Sequence, residues 1–222
     1  MFERCRKFGI SLNPKKTIFF VSEGILSGCV VSKNGIMIDP ERTQAISKIT
    51  YPSRKKAMQS FLGKINFVRR FIPSFSEIIR PLQKMIKKDD VFNWGQTEKE
   101  SFQKILEAIS EAPSLLSPYF NKDFILYTFA SDISYATVLT QLNQQNNEVP
   151  ISFMSSNFKG DELNYHEVDK QAFAVFKAVK HFHPYLLKSK TKIIVPYSSV
   201  RNLLVQKDLG EKIALDGNPS RV

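Results

Sequence analysis

Near Leu116 the hydrophobic rhythm of this chain changes, and that change limits what it can fold into. Before it, apolar residues recur every three or four positions, as along one side of a helix. After it they alternate, as on one face of a strand. Residues 124–129 predict a first strand, 135–142 a second and 150–156 a third, with a polar hairpin loop over 143–148. A long helix follows over 163–187, with Tyr165, Val168, Ala172, Val175, Phe176, Val179, Phe182 and Leu186 on its buried side. A fourth strand at 192–196 and a short helix at 199–206 come next. The class is α+β, with a helical segment feeding a mixed sheet.

The helical half opens at Asp39-Pro40-Glu41, where Asp39 suits an N-cap and Pro40 the first helical position. That helix ends before Tyr51-Pro52. The next is predicted over 54–72, and its core stripe is Met58, Phe61, Leu62, Ile65, Val68 and Ile72. The opposite side carries Lys56, Gln59, Gly63, Asn66, Phe67 and Arg70. A glycine there costs the helix about 1 kcal/mol relative to alanine, and its usual benefit is close approach of another backbone. Gln59, Gly63 and Phe67 fall on one line, flanked by Lys64 and Arg70. An amide, a bare backbone spot and an aromatic suit a nucleic-acid minor groove. They suit a helix packed on both sides equally well, and the residues alone favour neither.

A short helix over 75–86 and a linker over 89–96, held by Phe92 and Trp94, complete this half. Thr97 and Glu100 read as a capping box for a helix that runs to residue 112 and stops at Pro113. Upstream, 1–8 suits a helix end and 17–21 a strand. Residues 26–36 suit a hairpin turning at Lys33-Asn34-Gly35.

Charge separates the two halves. Residues 1–90 hold 18 Lys and Arg against 7 Asp and Glu, whereas residues 91–222 hold 14 of each. All of the net +11 therefore sits in the first part, as in a polyanion-binding module joined to a balanced one. Cys5 and Cys29 form neither a metal-ligand spacing nor a disulfide framework, which fits a reducing intracellular compartment. No apolar run reaches membrane-spanning length, and no signal-peptide core opens the chain. There is no Gly-x-Ser-x-Gly elbow, phosphate loop or dinucleotide fingerprint.

The run Gln59, Gly63, Lys64, Asn66, Phe67 resembles the thumb helix of retroviral and retrotransposon reverse transcriptases, with Phe where the retroviral pattern has Trp. From Phe8 through Phe71-Ile72-Pro73 to the C-terminus the text is similar to plant gypsy-type LTR-retrotransposon Pol. The resemblance implies a palm end with a primer-grip-like hairpin over 1–38. It implies a helical thumb and connection over 39–115, and an RNase H-like domain, truncated at its C-terminus, over 116–222. At the hairpin, Ser27 and Cys29 depart from the family text and Gly28 remains; read from its residues, the segment is an ordinary hairpin. The tail from Ile213 loses the family text and predicts no further strand or helix. The implied partners are duplex or RNA–DNA hybrid nucleic acid and the rest of the Pol polyprotein, with no membrane.

The same resemblance implies two activities that these residues do not support. Polymerisation in the family needs a Tyr-x-Asp-Asp hairpin, which the family places upstream; Asp89-Asp90 reads as a solvated turn. Hybrid cleavage needs carboxylates converging on two Mg²⁺ ions. The three acid positions are occupied here by Phe129, Gln171 and Tyr197. Asp132 falls in a turn, while Glu167 and Asp169 point away from the cleft. His166, His181 and His183 lack ligand spacing. The expectation is therefore a metal-free second domain, no bound cofactor and no catalysis. Nucleic-acid contacts are expected at Lys56, Gln59, Gly63, Lys64, Asn66, Phe67 and Arg70, with Lys15, Lys16, Lys55 and Arg69 on phosphates. The alternatives are an active RNase H-type hydrolase, a non-catalytic connection-like module and a decayed gene product.

Overall fold

The computed structural model describes residues 2–13, 15, 21–88, 90–187, 189–197 and 200, and the backbone of 213–216. The expected strand at 17–21 falls outside these residues except for Val21, which is not in a strand. Asp89 and nearly all of the expected helix at 199–206 lie outside them too.

After a short helix α1 (Phe2–Lys7), three strands form an antiparallel meander: β1 (Glu23–Leu26), β2 (Cys29–Ser32) and β3 (Gly35–Ile38). The turn at Lys33-Asn34 is as expected. A second tight turn at Ser27-Gly28, with φ of 51° and 84°, adds β1 to the expected hairpin. Both values are positive, the geometry that closes two-residue hairpins with the correct twist. Gly35 has φ 131°, and a Cβ there would collide with the carbonyl oxygen of Leu115. Ile36 and Leu115 exchange two main-chain hydrogen bonds of 2.8 Å, which tie the meander to the chain entering the second sheet.

Helix α2 (Pro40–Ser47) starts as its sequence requires: Asp39 Oδ1 accepts from the Glu41 amide at 3.0 Å. Asp39→Ala is expected to cost about 1 kcal/mol, read as a lower urea midpoint at unchanged m-value. Helix α3 (Lys55–Ile65) then buries Met58, Phe61 and Ile65. The predicted helix to residue 72 is corrected here, because Asn66–Phe71 is a 3₁₀ helix. The tighter turn seats Val68 and Phe71 in the core and ends at Ile72, which is extended (φ −116°, ψ 119°) ahead of Pro73. The single helix expected over 75–86 is two, α4 (Phe75–Ile78) and α5 (Arg80–Met85), with Pro81 in the first turn of the second. Helix α6 (Gln96–Ser110) is capped at Gly95 without a side-chain bond, so Thr97 does not form the expected capping box. Gln96 instead reaches Glu100 at 2.9 Å along the helix. Trp94 anchors the linker by donating its indole N–H to the Pro52 carbonyl at 2.9 Å.

The second sheet has the order β6-β5-β4-β7-β8. Strands β4 (Phe124–Ala130), β5 (Ser134–Leu142) and β6 (Glu148–Asn157) are antiparallel. After a 3₁₀ turn at Gly160–Asn164, helix α7 (Glu167–Leu186) crosses the sheet, and β7 (Thr191–Ile194) pairs parallel to β4. The tail expected to lack structure supplies β8 (Ile213–Asp216), which pairs parallel to β7. The buried side of α7 is also corrected: Gln171, Ala174, Val175, Ala178 and Phe182 face the sheet, whereas Tyr165 and Phe176 are exposed. Two alanines at the contact let the helix lie close, and close approach outweighs the larger apolar stripe beside them.

The two cores meet along the sheet's edge strand β6. Phe153 packs into the helical core, Arg69 donates to the Ser155 carbonyl at 3.0 Å, and the Ser76 amide donates to Ser155 Oγ at 2.9 Å. Glu77 accepts from Ser134 Oγ at 3.1 Å. An open strand edge is thereby covered by the helical arm.

Candidate nucleic-acid interface

Along α3 the residues opposite the core stripe are open to solvent. Lys56, Gln59, Gly63 and Lys64 are exposed, as is Asn66 where the 3₁₀ turn begins. A Cβ built on Gly63 would meet nothing within 4 Å. The helix is therefore not packed on both sides, and no described part of the chain uses the bare spot at Gly63.

Beyond Gly63 the expected line bends inward, because a 3₁₀ turn advances 120° per residue rather than 100°. Phe67 is half-buried and packs against the helical core, with the Arg42 guanidinium 5.0 Å from its ring centroid. Arg70 is half-buried as well. Its Nε is buried without a hydrogen-bond partner among the described residues, and its guanidinium lies 5.8 Å from the Phe71 ring. Two of the expected phosphate contacts are used internally. Lys55 donates to the carbonyls of Lys87 (2.6 Å) and Lys88 (3.3 Å), and Arg69 holds Ser155. Lys15 is exposed, and Lys16 lies outside the described residues. The stacking of Arg42 on Phe67 was not legible in the sequence: Arg42 follows an N-cap motif and shares no spacing with the α3 face.

The three positions where the resemblance puts acids are now in place. Phe129 is 56% exposed and Tyr197 42% exposed. Gln171 is 1% exposed, and both ends of its amide are bonded to one residue. Its Oε1 accepts from the Ala130 amide at 2.9 Å, and its Nε2 donates to the Ala130 carbonyl at 2.7 Å. The neighbouring Lys170 is buried and donates to the Asp132 carbonyl at 2.9 Å, so successive residues of α7 hold the turn after β4.

Glu167, expected to point away, instead accepts from the Tyr197 hydroxyl at 2.6 Å. Its N-terminal place on α7, beside the chain leaving β7, brings the two together. That hydrogen bond, followed by the carboxylate's charge, pushes the Tyr197 phenol above its ordinary pKa. Among the described residues, no three His, Cys, Asp or Glu side chains gather as a metal-ligand group. His166 caps α7, and His181 and His183 lie exposed near its other end.

Residues 94–193 match the family described as the RNase H-like domain found in reverse transcriptase. The chain is 28% identical over 186 residues to the Transposon Tf2-3 polyprotein of Schizosaccharomyces pombe, and equally to the Tf2-4 polyprotein. Those alignments cover 84% of this chain but only 14% of each relative's length. Among solved structures, the foamy viral protease-reverse transcriptase in complex with dsDNA superposes with a TM-score of 0.79 at 22% identity. That match covers 94% of this chain and 47% of the other. The same protein in complex with RNA/DNA hybrid gives 0.76 at 22% identity, covering 94% and 31%. The fold is thus that of the corresponding portion of a reverse transcriptase. No helix among the described residues is long and apolar enough to cross a membrane.

Proposed function

We propose that this chain is the palm-end, thumb and RNase H-like portion of a gypsy-type retrotransposon Pol polyprotein of the plant type that its text resembles. In this reading its exposed α3 face grips RNA–DNA hybrid or duplex while its RNase H-like sheet does no chemistry. The observation that carries it is Gly63. A glycine inside an exposed helix costs about 1 kcal/mol, and no contact among the described residues requires it. What remains is an external backbone that must come close, and Lys56, Gln59 and Lys64 surround the spot with groups that suit phosphates and groove edges. The excess positive charge of residues 1–90 supplies the sequence-independent attraction. The hybrid-bound and dsDNA-bound state of the structurally similar foamy viral enzyme supports the choice of ligand.

A pair of Mg²⁺ ions does not fit the second sheet. Two-metal sites need converging anionic oxygens; here the positions present a phenyl ring, an amide bonded at both ends and a phenol. The β4 end and α7 are locked to each other instead of holding a cleft open.

Gly63→Ala tests the gripping face, because the reading predicts two opposite effects. The variant gains about 0.5–1 kcal/mol in urea unfolding, from helix propensity alone, while its affinity for a hybrid duplex falls. Unchanged or tighter binding would remove the groove assignment. Incubating labelled hybrid with the protein and Mg²⁺ tests the second half: intact RNA is expected, and RNA cleavage that persists in preparations of different purity would restore the hydrolase reading.

A further inference from the structure

The register of the second sheet divides its apolar side chains between two faces, and α7 covers only one of them. On the covered face, Leu126, Leu139 and Ile193 belong to the core under α7. On the other, Tyr127 of β4 stands between Val138 of β5 and Ile194 of β7, with Phe153 of β6 beyond Val138. Ile125 and Phe129 flank Tyr127 along β4 on the same side. The helical arm takes Phe153 into its core. The others pack into neither core: Phe129 is 56% and Tyr127 37% exposed, and Ile125, Val138 and Ile194 are half-buried.

A single exposed aromatic is ordinary, but a contiguous apolar patch marks a contact surface. This patch lies partly on β4 and β7, which pair in parallel, as β7 does with β8. Parallel strands are found with both faces covered. In the order β6-β5-β4-β7-β8 a right-handed crossover falls on the α7 face, so the usual hand supplies no cover for the other.

The charges on the open face favour a second copy as its cover. Glu148 reaches in from β6, on one side of β4, and accepts from the Tyr127 hydroxyl at 3.0 Å and from Thr140 Oγ1 at 2.6 Å. Lys192 is exposed on β7, on the other side of β4, at the level of Ile125 and Thr140. A two-fold axis above β4 and parallel to it sets Glu148 of each copy over Lys192 of the other. It also places each arm beside the partner's β8 edge, whereas an axis across the strands drives arm into arm. Residues 91–222 hold 14 Lys and Arg and 14 Asp and Glu, so two such sheets carry no net charge to repel each other.

We propose that the open face of the second sheet is a homodimer interface, in which two copies pack sheet on sheet about that axis with Tyr127 and Phe129 at its centre. The interface does not depend on the gripping face of α3. It gives Phe129, which cannot hold a metal, a contact role. Three or four strands about 4.8 Å apart make a small interface, so the dimer forms in the micromolar range.

Sedimentation equilibrium of the nuclease-treated whole chain, from about 1 to about 100 µM, is expected to show monomer and dimer in exchange. Phe129→Lys is expected to weaken the dimer by on the order of 100-fold, because two central rings are lost and two like charges are brought together. Phe129→Ser loses the rings alone and serves if thermal unfolding shows the lysine variant to be poorly folded. Lys192→Glu sets carboxylates opposite each other and is expected to weaken the dimer about 10-fold; adding Glu148→Lys to it is expected to restore association.

A parent that stays monomeric over this range overturns the interface. So does a dimer that Phe129→Lys and Phe129→Ser leave unchanged, since association then occurs elsewhere. A dimer that the Phe129 variants dissociate but Lys192→Glu does not weaken overturns the two-fold arrangement.

Discussion

Gln171→Glu is expected to destabilise the protein by about 3 kcal/mol at neutral pH, the range for a buried charge left facing an acceptor. In the parent, one end of the amide donates to the Ala130 carbonyl and the other accepts from the Ala130 amide. A carboxylate keeps the second bond and turns the first into two oxygens facing each other at a site 1% exposed. Burial raises the introduced carboxyl's folded pKa above its unfolded value of about 4.3. Once protonated it can donate to Ala130 again. The deficit relative to the parent is therefore small below about pH 4 and grows as pH rises through the folded pKa. Urea unfolding at pH 4.5 and pH 7.5 reads this directly. A deficit of the same size at both pH values would mean that the amide is not held as described. The substitution is also expected to yield no hybrid cleavage, since Phe129 and Tyr197 still offer no carboxylate.

The second large effect is on binding. A Lys56→Ala/Gln59→Ala/Lys64→Ala variant removes two exposed cations and one amide from a face left open among the described residues. Two lost phosphate contacts correspond to a slope shallower by about 1.8 and an affinity lower by about 60-fold at 0.1 M salt. Folding should hardly change, because exposed substitutions usually stay within about 0.5 kcal/mol. Fluorescence anisotropy with a labelled hybrid, alongside thermal unfolding, separates the two. A variant that unfolds like the parent and binds like the parent would place the nucleic acid elsewhere. Changing Lys55 and Arg69 instead is expected to act through stability, because the first holds the carbonyls after α5 and the second holds strand β6.

Much of this architecture was written in short-range pattern. Alternation over β4, β5 and β6 located three strands to within two residues at each end, because a period of two has no helical counterpart. Asp39-Pro40 marked the start of α2 because a cap is a local hydrogen bond between near neighbours. The exposed face from Lys56 to Lys64 followed from helical spacing for the same reason. Pattern failed where the backbone left the ideal helix. The 3₁₀ turn at Asn66–Phe71 took Phe67 and Arg70 off the expected line, and the break at Ile79 split one predicted helix into two. Strand β8 carried too little alternation to be seen, and its place depends on pairing with β7.

The amino acids dictated the helical and strand-like halves and the polarity of charge between them, since each is a property of neighbours along the chain or of composition. Folding alone settled what long-range proximity produces. Arg42 reaches Phe67 over Gly28, Glu167 meets Tyr197, Arg69 closes the edge at Ser155, and Gln171 clamps Ala130. These pairs are 25 to 86 positions apart (Arg42 to Phe67, Arg69 to Ser155). No periodicity links residues at such separations; packing of the two cores against β6 brings them together.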